Sequence, residues 1–182
     1  NDVTLTGTDL QSADDVKIGA EGDTSIAAVI DSEYRYRKQT QSGAFGSSKT
    51  TENETLTSTV TGGSINAGGD LLINAHKNAD GQIVSEQSGA VNLAGVNFQS
   101  GGDTAIAGDD GVTITGIQYQ TQDYHRTTET GKLGLSEKDE GTAVAETRLQ
   151  NASLASGGNT HLLSGADLTL AATNVVANGD ID

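Results

Sequence analysis

Apolar residues alternate with polar ones in short bursts along the chain: Val3 and Leu5, then Leu10, then Val16 and Ile18, each burst closed by Asp, Asn or Gly. Alternation with a period of two predicts short β-strands, and the Asp, Asn and Gly clusters predict turns between them. The bursts recur as a phrase. Val3-Thr-Leu5-Thr-Gly-Thr-Asp9-Leu10-Gln-Ser-Ala-Asp-Asp15 lies without gaps over Val91-Asn-Leu93-Ala-Gly-Val-Asn97-Phe98-Gln-Ser-Gly-Gly-Asp103 and over the segment from Leu168 to Asp180. Its second half returns at Ile65-Asn-Ala-Gly-Gly-Asp70 and Leu154-Ala-Ser-Gly-Gly-Asn159.

A short strand pair cannot bury its apolar side alone. Stacking copies about 4.8 Å apart gives every strand two neighbours and lays Val on Leu on Ile in the interior, which predicts a parallel β-solenoid. The corners, Gly-Gly-Asp or Ser-Ala-Asp-Asp, are expected to use Gly or Asn in left-handed conformations, with each Asp or Asn bonding the backbone just after it. Between Asn159 and Asp180 the phrase advances 21 residues, which sets a bare coil of about twenty.

Elsewhere the spacing is stretched, and a shift of 88 residues superposes the two longest stretches: Ile18 on Ile106, Ile26 on Ile114, Tyr36 on Tyr124, and Gly43-Ala-Phe45-Gly46 on Gly131-Lys-Leu133-Gly134. Polar strands rich in Thr, Tyr and Gln flank these glycine-bounded tips. Residues 33–60 and 121–148 are therefore expected to be two long β-hairpins projecting from one side of the solenoid. Residues 75–90 are expected to form a surface loop with no assignable role.

Composition sharpens this picture. Only 34% of the 182 residues are hydrophobic and 3% aromatic, poor material for one compact core, and with a net charge of −15 disorder is also compatible with composition alone. Periodicity decides for order. The chain has no Pro, which fits strands that are nearly all central ones needing every N–H, and no Cys, which excludes disulfides. No stretch has the length and apolarity of a membrane helix. Beginning and ending inside the phrase, the sequence reads as an excerpt of a longer chain without capping segments.

Eight of the ten Lys and Arg, and all four Tyr, lie in or beside the hairpins. Tyr34, Arg35, Tyr36, Arg37, Phe45, Tyr119, Tyr124, Arg126 and Leu133 form a candidate contact surface, since Tyr and Arg are enriched in binding hot spots. The competing account is cross-strand packing of Tyr and Thr, with Lys and Arg keeping the strands soluble.

Catalytic, cofactor and metal sites are not expected. His76, His125 and His161 have no metal-ligand spacing and are expected at the surface. Gly101-Gly-Asp103 and Asp109-Asp-Gly111 lack the nine-residue period of calcium-binding β-rolls. No motif singles out an acidic pair for polysaccharide cleavage, no phosphate-binding loop is present, and the acidic charge argues against nucleic acid.

The phrases Gly62-Gly-Ser64-Ile-Asn-Ala-Gly-Gly-Asp70-Leu-Leu-Ile-Asn-Ala75 and Val91 to Asp103, with Tyr- and Thr-rich inserts between, resemble the haemagglutinin repeats of filamentous haemagglutinin-like exoproteins. The resemblance covers nearly the whole chain. It implies an all-β, right-handed parallel β-helix with two long hairpin insertions, secreted to the Gram-negative cell surface through an outer-membrane two-partner secretion transporter. The inserts look most like the later repeat region of contact-dependent growth inhibition effectors. That likeness implies a non-enzymatic stalk or delivery segment acting at a target cell, its outer membrane included. Adhesins binding host cells share the repeats, so adhesion stays open beside delivery.

Overall fold

A computed structural model describes residues 1–86 and 88–182, and they contain no α-helix. The residues divide into two units: Asn1–Val29, Val60–Ile117 and Leu149–Asp182 form the first, Ile30–Thr59 and Gln118–Arg148 the second.

In chain order, the strands are β1 (Val3–Thr6), β2 (Leu10–Ser12), β3 (Val16–Ile18), β4 (Thr24–Ala27), β5 (Val29–Ser42), β6 (Ser48–Thr61), β7 (Ser64–Ala67), β8 (Leu71–Ile73), β9 (Ala75–Lys77) and β10 (Ile83–Ser85). They continue as β11 (Val91–Ala94), β12 (Asn97–Ser100), β13 (Thr104–Gly108), β14 (Val112–Thr115), β15 (Ile117–Thr130), β16 (Glu137–Gln150), β17 (Ala152–Ser156), β18 (Thr160–Ser164), β19 (Leu168–Ala171) and β20 (Thr173–Ala177).

The first unit is of the parallel β-helix type. One sheet runs β1-β4-β11-β14-β19, a second β2-β7-β12-β17-β20 and a third β3-β8-β13-β18. Every copy of the sequence phrase occupies the equivalent place: Val3, Val91 and Leu168 open strands of the first sheet, while Leu10, Ile65, Phe98, Leu154 and Val175 pair in succession across the second. Leu5, Ile26, Leu93, Ile114 and Leu170 form the matching ladder in the first sheet, and Ile18, Ile73, Ile106 and Leu162 in the third. These ladders converge on one apolar core whose central members, Ile65, Leu71, Ile73, Phe98 and Ile106, are fully buried. At about 1.5–3 kcal/mol per buried side chain, this stacking is the main source of stability.

At the corner between the second and third sheets, the bonding differs from the sequence expectation. Asp15 Oδ1 accepts the N–H of Asp70 at 2.8 Å, Asp70 that of Asp103 at 2.8 Å, Asp103 that of Asn159 at 2.8 Å, and Asn159 that of Asp180 at 2.9 Å. Each side chain thus bonds the equivalent residue of the following coil rather than its own turn. The preceding glycines also act otherwise than expected: none of Gly68, Gly69, Gly101 or Gly102 has a positive φ. A Cβ on Gly69 or Gly102 would overlap the carboxylate oxygen of Asp15 or Asp70, and one on Gly68 or Gly101 the carbonyl oxygen of Ala13 or Gly68. At these four positions the coils approach so closely that only glycine fits, whereas Asn178 takes the equivalent place of Gly68 and Gly101 in the last coil. Left-handed backbone is used at the other corners: at Gly7, Gly95 and Ala172 between the first and second sheets, and after the third sheet at buried Asn74 (φ 51°), which accepts hydrogen bonds from Ala20 N–H and Thr24 Oγ1.

Residues 75–90 are not a plain surface loop. β9 and β10 pair as a small antiparallel hairpin, and Ile83 packs with Leu163 against Leu72, Ala75, Ala105 and Ala107 on the outer side of the third sheet. That sheet is consequently apolar on both faces, which explains the unbroken runs Leu71-Leu72-Ile73 and Ala105-Ile106-Ala107. Lys77, which belongs to this hairpin and not to a coil, places Nζ 2.6 Å from Asp70 Oδ2 and 2.8 Å from Asp103 Oδ2. The Asp103 carboxyl is held below its usual range by Lys77 and by the Asn159 N–H, and the Lys77 ammonium is raised by Asp103 and Asp70.

The second unit is one four-stranded antiparallel sheet ordered β16-β15-β6-β5. Its strands begin at Val29 and Ile117, four residues ahead of the bounds 33–60 and 121–148 read from sequence.

Candidate contact surface

The strands of the second unit owe little to burial. Among its described residues only Ser58 is buried, so both faces of the sheet are open to solvent. Thr and Tyr favour extended backbone, and cross-strand polar pairs supply the rest of the cohesion. Ser32 meets Ser58 at 2.9 Å and Thr40 meets Thr50 at 3.1 Å across β5 and β6, while Asn53 Oδ1 lies 2.5 Å from His125 Nδ1 across β6 and β15. Lys49 reaches Glu129 at 2.8 Å.

Alternation along the strands sorts the candidate residues onto two faces. On one, Tyr34, Tyr36 and Lys38 of β5 stand beside Glu52 and Glu54 of β6. Tyr124 and Arg126 of β15 lie directly opposite Glu54 and Glu52 in the ladder. Lys38 Nζ is 2.6 Å from Glu52 Oε1, which also takes a long hydrogen bond from the Tyr36 hydroxyl at 3.4 Å. Arg126 Nε donates to Asp139 Oδ1 at 2.9 Å. The Glu52 carboxyl is lowered by Lys38 and then by the charge of Arg126, and the Asp139 carboxyl is lowered by Arg126. Arg35, Arg37 and Tyr119 do not join this group: alternation places them on the other face, where Arg35 is paired with Glu33 at 2.8 Å.

The structure thus brings together Tyr34, Tyr36, Tyr124 and Arg126, and adds Lys38, Glu52 and Asp139, which sequence reasoning passed over. The signal was present as Tyr34-x-Tyr36-x-Lys38, three residues on one strand face.

Phe45 and Leu133 occupy the turns. Each sits in a three-residue 3-10 turn with a left-handed backbone (φ 57° and 58°), and they are 72% and 75% exposed. Leu135, also missed, is 83% exposed, and the Lys132 ammonium lies 5.6 Å from the Phe45 ring centroid. Bulky residues in this conformation are strained by about 1–2 kcal/mol. A shallow polar cleft of about 570 Å³ beside the turns is lined by Ser48, Lys49, Glu129, Thr130 and Lys138 among others.

Among the described residues, no group of three or more His, Asp or Glu side chains is placed to hold a metal ion. Gly101 to Asp103 belong to the corner ladder, and Asp109 accepts hydrogen bonds from Ser85 Oγ and Ser88 N–H. His125 is exposed, whereas His76 and His161 are only partly so.

The hemagglutinin-repeat family model matches residues 42–182, which spans both turns and most of the parallel strands. No curated protein and no solved structure matches the chain. The family's repeats are those of secreted, cell-surface exoproteins of the filamentous haemagglutinin type. With well over half of its length matched and its phrase copies stacked in parallel sheets, the chain belongs to the hemagglutinin-repeat family.

Proposed function

We propose that this chain is a non-enzymatic structural segment of a surface-exposed bacterial exoprotein, wound as a right-handed coil of about twenty residues. Pairing of Val3 with Thr24 and of Val91 with Val112 supports that coil length. The β-helix supplies stiffness, and the four-stranded sheet of β5, β6, β15 and β16 supplies the contacts through which the segment aids toxin delivery to a neighbouring cell. The observation that carries the contact role is the solvent-open face combining Tyr34, Tyr36 and Tyr124 with Lys38 and Arg126. Large aromatic side chains left in water on a sheet without a core contribute little to folding and much to binding. The exoprotein would leave its Gram-negative cell through an outer-membrane two-partner secretion transporter.

Replacing Tyr34, Tyr36, Tyr119 and Tyr124 together with Ser is expected to lower delivery, or attachment, at least tenfold while leaving the β-type circular dichroism unchanged. Unaltered delivery and attachment would reject the contact role.

The family's hemagglutinin repeats favour a second reading, an adhesin module binding host cells. Saturable binding of the isolated chain to host cells supports adhesion; binding confined to bacterial targets supports delivery.

A further inference from the structure

The duplication behind the two hairpins also fixes what stands on their shared face. The hydroxyl pairs Ser32 with Ser58 and Thr40 with Thr50 set the register of β5 on β6, so Tyr36, midway between, lies opposite Glu54. On the other side of β6, Tyr124 lies opposite the same Glu54. Tyr36 and Tyr124 are equivalent residues of the two hairpins, 88 positions apart in the sequence, and they straddle one carboxylate on an inner strand. Tyr34 and Tyr36 are exposed, and Tyr124 and Glu54 are half-buried. Glu54 already has a strand on each side, so the arrangement does not depend on what adjoins β5 or β16.

Glu54 is the member that the fold does not explain. Its counterpart in the second hairpin is Ala143, 89 residues on, because the second turn, closed by Gly131 N–H to Ser136 O rather than Gly43 N–H to Ser47 O, is one residue longer. Strand pairing therefore does not require a carboxylate at this place. Ion pairing does not use it either. Lys38 is on Glu52, Arg126 on Asp139 and Lys49 on Glu129, whereas among the described residues no basic side chain pairs with Glu54. Its neighbours are aromatic instead. The Tyr34 phenol, one alternation back on β5, is raised above its usual value by desolvation and then by the charge of Glu54, which sets it beside the carboxylate.

A carboxylate without a counter-ion between two aromatic rings attracts a cation, and the spacing selects the kind. Side chains stand roughly upright on a sheet, and adjacent strands lie about 4.8 Å apart, so Tyr36 and Tyr124 stand about 9.6 Å apart. A flat guanidinium stacked at about 3.5–4.0 Å from each ring spans only about 7–8 Å and would leave one ring uncovered. A rounder group midway lies about 4.8 Å from each ring, inside the roughly 6 Å reach of cation–π attraction. Trimethylammonium has that shape, and it donates no hydrogen bonds that the site would have to satisfy. A metal ion needs more oxygens than one carboxylate, and no grouping for one occurs among the described residues.

We infer that Tyr36, Tyr124 and Glu54, with Tyr34 alongside, form a binding site for the trimethylammonium group of a choline headgroup. The inference rests on the contact role proposed above for this face and names its ligand. Outside cells, choline esters are the abundant carriers of such a group, so the occupant is phosphocholine displayed on a cell surface.

Calorimetric titration of the full chain with choline chloride, and with phosphocholine, is expected to show one site with a Kd on the order of 1 mM. Neohexanol, the uncharged isostere of choline, is expected not to bind. E54Q, which keeps size and shape, is expected to weaken choline binding about three- to fivefold, and Y36S or Y124S each by a similar factor, with unchanged circular dichroism. The double variant Y36F/Y124F keeps both rings and is expected to bind within about twofold of the unaltered chain. Flotation with phosphatidylcholine vesicles, lost in E54Q/Y124S, assigns the headgroup to a bilayer; binding of soluble phosphocholine alone assigns it to a polymer carrying the ester. Neohexanol binding as tightly as choline, choline binding unchanged in E54Q, or no choline binding at all would each overturn the site. Should replacement of all four Tyr still lower attachment in that case, the contact role stands with another ligand; unaltered attachment removes both.

Discussion

Asp103 shows how much one side chain does at a corner. Its Oδ1 accepts the Asn159 N–H of the next coil, while Oδ2 holds Lys77. Asp103→Ala is expected to lower stability by about 1–3 kcal/mol, the cost of leaving a corner N–H without its acceptor, measured by urea denaturation. Asp103→Asn keeps the acceptor and is expected to lose less. The pH dependence follows from the signs. The folded Asp103 carboxyl is depressed, so its contribution is present above its unfolded pKa and is lost as pH falls below about 4. The folded Lys77 ammonium is raised, so its contribution is complete below its unfolded pKa and is lost as pH rises above about 10. Asp103→Asn should flatten the acid limb, and an unchanged limb would show that other carboxylates govern it. The place of these residues was legible, because Asp or Asn recurs at each corner. The direction of their bonds was not, because a sequence phrase does not say whether an acceptor serves its own turn or its neighbour's.

Among the elements, β9 and β10 were the least legible. Ile83 and Val84 are a short apolar island in a polar stretch, and nothing local reveals that Leu72, Ala105, Ala107 and Leu163 need a cover. Lys77 pins that cover to the corner ladder. Lys77→Ala is expected to cost about 1 kcal/mol, discounted for its partial exposure, and to accelerate amide exchange across residues 75–85 while the three parallel sheets stay protected. Uniform acceleration would mean that the hairpin unfolds only with the whole molecule. The joining of β6 to β15 was also hidden. Strands polar on both faces carry no hydrophobic register signal, and pairing then rests on small cross-strand terms that a linear reading does not rank.

For the whole molecule, the parallel architecture was the most legible feature, because stacked strands must repeat their apolar positions. Charge is divided unevenly: of the net −15, the first unit carries fifteen acids and two bases, and the second ten acids and eight bases. In the acidic part Asp2, Asp9, Asp15, Asp23, Asp70 and Asp103 accept N–H groups of the next coil, and in the nearly neutral part most Lys and Arg are paired with acids at the solvent surface.

The two kinds of corner in the β-helix differ in their tolerance of change. Where glycine backbone touches the preceding coil, no room exists for an extra atom. Between the first and second sheets, one coil crosses with Gly7-Thr8-Asp9, another with Gly95-Val96 and a third with Ala172 alone, while two others leave there for whole hairpins. This corner is an exchange socket, at which spacers of one to three residues or whole hairpins join the same two sheets, even though Val96 reaches the core and Gly62 lies tightly against Gly7. A ten-residue Gly/Ser graft between Thr8 and Asp9 should accordingly lower the melting temperature by only about 2–4 °C, the effect of roughly 1 kcal/mol of loop entropy, whereas the same graft between Gly101 and Gly102 should abolish cooperative melting.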